Sequence, residues 1–133
     1  MSDRVGPDLT SVALERALDA LAARQAVVAN NIANADTPGF RASQVSFERE
    51  LDTALVRARQ LGGPAEEQAT SVQATPWRVQ RRAGPARPDG NNVSIEQEVA
   101  QLGRTGTLYQ AVTRIVGKRL SMLREAISEG SRQ

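Results

Sequence analysis

Apolar residues recur at steps of four and three through Leu14, Leu18, Leu21, Val28 and Ile32, with Gln25 completing the row. That spacing predicts a helical seam over about Leu9 to Ala33. Gln25 either fixes the register of a partner helix or stands partly exposed. Beside the seam runs a stripe of small residues, Ala22, Ala26, Ala29 and Ala33, narrow enough for a neighbouring backbone to come close. Pro7, Asp8, Thr10 and Ser11 all suit a helix start. Asn34, as a left-handed cap, and Pro38 beyond it mark the end. Thr37, Pro38, Gly39 and Phe40 then read as a type II turn, with proline presetting φ and glycine accepting a positive one. Phe47, Leu51 and Leu55, four apart, predict a short amphipathic helix from about Ser46 to Leu61.

The pattern then fails. Residues 62–92 hold Gly62-Gly63-Pro64, Pro76, Gly84-Pro85, Pro88 and Asp89-Gly90, with few apolar residues among them (Val72, Trp77, Val79). Breakers at that density predict an irregular central loop that finds its order on a partner. Periodicity returns at Ser94, which with Gln97 has the form of a capping box. Ile95, Val99, Leu102, Gly106, Tyr109, Thr113, Val116, Leu120, Leu123 and Ile127 follow at steps of three and four. A helix from Ser94 to Ser128 would be about 50 Å long at ~1.5 Å per residue. Leu108, Val112, Ile115 and Met122 add a second apolar stripe, and Gly103, Gly106, Thr113 and Gly117 a small-residue flank. One seam serves a hairpin; several predict several neighbours. Each interior glycine costs ~1 kcal/mol against alanine, so this helix is expected to be weak alone and stable when packed.

The expected architecture is all-α. Long N- and C-terminal helices pack as a coiled-coil-like pair, in one structural domain of three parts: residues 1–61, the central segment 62–92 and the C-terminal helix 93–133. The 133 residues are 40% hydrophobic but only 3% aromatic, which suits helix seams better than a bulky core. Cysteine and histidine are absent, removing thiolate and imidazole chemistry and the usual zinc ligands. Glu48, Glu50 and Asp52 have no partner base, so catalysis is not expected; no catalytic, cofactor or metal residue is assigned. A net charge of +2 and the scarcity of aromatics argue against a nucleic-acid partner, and Arg78, Arg81, Arg82 and Arg87 read as a solvated or contacting loop. No apolar run is long enough to span a bilayer, and the N-terminus shows no leader-like apolar run.

The run Leu18-x-x-Leu21-x-x-Arg24-Gln25-x-x-Val28-x-x-Asn31-Ile32-Ala33-Asn34-x-x-Thr37-Pro38-Gly39-Phe40 resembles the N-terminal signature of the flagellar basal-body rod and hook family. Asp89-Gly90-Asn91-Asn92-Val93-Ser94-Ile95-Glu96-x-Glu98 resembles the start of the C-terminal helix of its proximal rod members. Phe40 stands where tyrosine is commoner, and Gly103 and Gly106 where helix formers are. The resemblance implies a structural subunit of the periplasmic rod, exported through the flagellar type III apparatus without a cleaved signal, that transmits torque from motor to hook. It implies as partners other copies, other rod proteins, and basal-body junction and membrane-ring proteins. It implies an assembly interface on Leu14, Leu18, Leu21, Gln25, Val28, Asn31, Ile32 and Asn34, and on Ile95, Val99, Leu102, Tyr109, Val112, Val116, Leu120, Leu123 and Ile127. A cytosolic coiled-coil binding module or export chaperone is the second reading; it leaves the segment from Asn31 to Phe40 unexplained.

Overall fold

Asp8 starts the first helix, accepting the Thr10 N–H at 3.3 Å and the Ser11 hydroxyl at 3.1 Å, as an N-cap carboxylate does. The computed structural model describes residues 8–132; Pro7, grouped above with this start, lies outside them. The elements are α1 (Leu9–Ala33), β1 (Ser43–Ser46), α2 (Glu48–Leu61), α3 (Ala65–Gln73), β2 (Arg78–Arg81) and α4 (Ile95–Gly130). The two long helices and the short α2 stand close to their expected bounds.

The central segment differs from its sequence reading. It contains a nine-residue helix and a strand that pairs antiparallel with β1, Ser43 opposite Arg81 and Ser46 opposite Arg78. Between the breakers Pro64 and Pro76, Ala65, Ala69 and Val72 form a short apolar row, and Glu66 and Glu67 sit favourably in the first turn. Val72 is fully buried with Ala13 and Ala58, against which Leu9, Leu51 and Leu55 pack. A second cluster joins Ala20, Leu21 and Phe47 to Trp77 and Val112. The small sheet was not expected. Its β1 strand has one buried apolar residue, Val45, and all four residues of β2 are exposed, so no period-two pattern marks it.

α1 therefore has two packed sides. One meets α2, α3 and the sheet; the other meets α4. Asn31 bonds Glu98 near one end of the pair and Asp8 bonds Arg119 near the other, so the long helices run antiparallel. At ~1.5 Å per residue the 36-residue α4 is about 54 Å long. The eleven residues after Arg119 lie past the first described turn of α1.

The contact strip on α4 is not the apolar seam. Its two buried residues are Glu98 and Thr105. With Val112 and Arg119 they form a row at spacing seven that faces α1. Gly103 and Gly117 have no atom within 4 Å of where a Cβ would stand, and at Gly106 only the Gln25 amide comes near, at 3.9 Å. No close approach among the described residues requires these glycines.

Candidate assembly interface

The two motif regions interlock through buried polar groups. Asn31, fully buried, exchanges bonds with the backbone of Ser43: its Nδ2 donates to the carbonyl at 2.7 Å, and its Oδ1 accepts the N–H at 3.0 Å. Nδ2 also donates to Glu98 Oε2 at 2.9 Å. Arg82 Nη1 donates to the other oxygen of Glu98 at 2.6 Å. Asn91 Nδ2 lies 2.9, 3.0 and 2.8 Å from the carbonyls of Asn34, Ala35 and Thr37, gathering the chain that leaves α1. Its Oδ1 accepts the Val93 N–H at 2.8 Å. Asn92 accepts the Ala42 N–H and donates to the Arg82 carbonyl. These asparagines do for irregular backbone what a ladder does for a strand.

The turn closes as expected: the Phe40 N–H donates to the Thr37 carbonyl at 3.2 Å, with Gly39 at φ +74°. Gly90, at φ +84°, lies against it; a Cβ there would fall 3.3 Å from the Gly39 Cα. Asn34 departs from expectation. Its φ is −104° and it caps α1 without entering the left-handed region; its side chain donates to the Asn30 carbonyl at 2.8 Å. Asn31 reaches across the fold, to Ser43 and Glu98. Ser94 accepts the Gln97 N–H at 3.5 Å, a long form of the expected cap.

The other proposed interface residues divide by face. On α1, Leu21 and Val28 are buried within the chain, while Leu14, Leu18, Gln25 and Ile32 are half-buried and the alanines 22, 26, 29 and 33 exposed. On α4, Val112 and Val116 are half-buried. Ile95, Val99, Leu102, Tyr109, Leu120, Leu123 and Ile127 are exposed, from 36% for Tyr109 to 72% for Ile127. So the predicted seam does not serve the α1–α4 contact. Helical spacing puts Ile95, Val99, Leu102 and Leu120 on one flank of the contact strip, and Leu108, Ile115 and Met122 on the other. Because the Gln25 amide lies beside Gly106, 3.9 Å from where a Cβ would stand, the first flank continues onto the Leu14–Leu18–Ile32 side of α1.

The model of the family described as flagella basal body rod protein matches residues 13–41, the stretch from the second turn of α1 through the Thr37–Phe40 turn to Arg41. A flagellar basal body rod protein FlgB of Borrelia hermsii is 37% identical over 112 residues, covering 75% of this chain and 82% of its own. The chain belongs to the FlgB family of flagellar basal body rod proteins. The FlgB of Salmonella typhimurium is 32% identical over 128 residues, 88% of this chain and 91% of the relative, and that of Bacillus subtilis 28% identical over 118.

Two ion pairs hold this rod protein's outer elements on α1. Arg24 donates to Glu48 Oε1 at 2.5 Å and to the Val45 carbonyl at 3.2 Å, and lies over the Phe47 ring. Arg119 reaches Asp8 and the Ser11 hydroxyl. Burial alone would raise both carboxyls. Hydrogen bonds from Arg24 and the Phe47 N–H outweigh it at Glu48, and those from Arg119, Ser11 and Thr10 at Asp8, so both lie below their ordinary values. Groups lowered on folding contribute stability above their unfolded values and lose it as pH falls through the folded ones. Stability should therefore be level from neutral pH to about 5 and decline below about 4. Urea melts of wild type and an Asp8→Asn, Glu48→Gln double variant should converge in that acid range. A double variant whose deficit is the same at pH 7 and pH 3 would contradict this.

Sequence reasoning passed over Arg24, Arg82, Glu98 and Thr105 as structural residues. The heptad spacing of Glu98, Thr105, Val112 and Arg119 was a signal, but a row of mostly polar residues reads as a solvated face.

Proposed function

We propose that this structural subunit of the flagellar rod polymerises by burying the two outer flanks of α4, together with the alanine face of α1, against neighbouring copies and other rod proteins. The observation that carries the reading is that α4 turns polar residues toward its own chain and leaves its large apolar residues exposed. A monomer that kept this surface wet would forgo ~1.5–3 kcal/mol for each large side chain. Family membership gives a basal-body rod as the setting; we further propose that the rod lies in the periplasm and is reached through the flagellar type III export apparatus without a cleaved leader. Basal-body junction and membrane-ring proteins are the further partners. The role is mechanical, transmission of torque from motor to hook, and involves no catalysis. Paired flanks on one helix favour heterologous contacts, which propagate as open helical assemblies.

Deletion of the gene tests the reading. Flagella are expected to stop at the basal-body stage, and the tagged protein to co-purify with rods from the complemented strain. Normal hooks in the deletion strain, or a tagged protein confined to the cytosol, would defeat it.

A further inference from the structure

An open groove of about 440 Å³ lies between α2 and the turn joining α3 to β2. Arg49, Thr53 and Arg57 stand one turn apart along its α2 wall, and Thr75 and Arg78 line it from the other side. Arg78 is paired with Glu50 at 3.2 Å. Arg49 and Arg57 are exposed and take part in none of the ion pairs among the described residues. Three guanidinium groups against one carboxylate leave the groove cationic. The two arginines without an ion pair supply charge-assisted donors to which a carboxylate can bond.

We propose that this groove is a carboxylate-binding notch that receives an acidic segment of a partner protein. The site is separate from the apolar flanks of α4 and does not depend on polymerisation. A nucleic acid fits it less well, because single-stranded recognition uses open aromatic faces. The nearest ring, Trp77, is covered by the Arg16 guanidinium at 4.3 Å.

The chain's single tryptophan is Trp77, adjacent to the groove residues Pro76 and Arg78, and it makes the test direct. The full chain is titrated with a capped oligoglutamate peptide while Trp77 fluorescence is followed. Saturable binding is expected, weakened by salt. Arg49→Glu with Arg57→Glu should weaken it about tenfold or more, corresponding to lost charge-assisted hydrogen bonds. Circular dichroism should show the arginine variant folded as wild type. Arg114→Glu, an exposed charge reversal on α4, should leave the affinity unchanged. The proposal falls if Arg114→Glu weakens binding as much as the groove variant, or if the groove variant binds like wild type. It also falls if inorganic phosphate or a single-stranded oligonucleotide competes as effectively as the peptide.

Discussion

Replacing Arg82 with alanine is expected to cost about 3–5 kcal/mol of folding stability, far more than an ordinary surface arginine. The reason lies in its partner. Glu98 is fully buried, and its carboxylate is held by Arg82 and Asn31 alone among the described side chains. Removing the guanidinium leaves a buried charge with one neutral donor. The opposite replacement should be milder. Glu98→Leu removes the charge itself, frees Arg82 (already 25% exposed) to hydrate, and puts apolar volume against α1; buried ion pairs exchanged for apolar residues are often near neutral. The ordering is the test: urea melts should rank Arg82→Ala well below Glu98→Leu. The double variant should fall near Glu98→Leu, because once the carboxylate is gone the arginine has nothing to neutralise. Equal losses from the two single variants would show that the network does not hold α4 through this charge.

That network also marks where sequence reading stopped. The bounds of α1 and α4 were legible because periodicity starts and stops beside residues suited to helix ends, Asp8 being one of four candidates at the start of α1, with Asn34 at its end and Ser94 before α4. The type II turn was legible because proline and glycine occupied the positions its dihedrals demand. The α3 helix was not: Gly62-Gly63-Pro64 before it and Pro76 after it are read as loop, and Ala65, Ala69 and Val72 are too short a row to outweigh them. β2 was read as a solvated basic run because it is wholly exposed; its place is fixed by backbone pairing with β1, which leaves no mark on side-chain pattern. Arg82 belonged to that same run, and only its distance in space from Glu98 separates it from a solvated charge. The seam on α4 was legible as helical, but not that a polar row beside it makes the contact with α1. Periodicity reports that an apolar stripe exists, and says nothing of which neighbour covers it. The three glycines fit the same picture. They weaken α4 by ~1 kcal/mol each, with no close contact among the described residues to explain them; on the proposed interface a neighbouring subunit would lie against them.

Substituting Leu102→Arg and Leu120→Arg together should abolish incorporation into rods while leaving the monomer folded. Both leucines are exposed, at 37% and 51%, and neither belongs to a core cluster. The change in monomer stability should therefore stay within about 0.5 kcal/mol. On the proposed interface each loses ~1.5–3 kcal/mol of burial, and each arginine adds a charge to be desolvated. Even the burial term alone, about 3–6 kcal/mol for the pair, weakens a subunit contact by two to four orders of magnitude at ~1.4 kcal/mol per decade. Every copy carries both substitutions, so the deficit repeats at each contact and a growing polymer cannot dilute it. Gln60→Arg, on exposed α2, adds the same charge away from α4 and should assemble normally. Complementation of the deletion strain measures motility and rod incorporation, while circular dichroism and urea melts of the purified chains measure the fold. Leu102→Ala with Leu120→Ala separates lost burial from added charge, and should give partial assembly because it removes only the first term. A Leu102→Arg, Leu120→Arg strain that swims like wild type would place the contacts between subunits elsewhere on the molecule. A variant that instead unfolds would mean that these leucines serve their own chain after all, against the polar strip through which α4 meets α1.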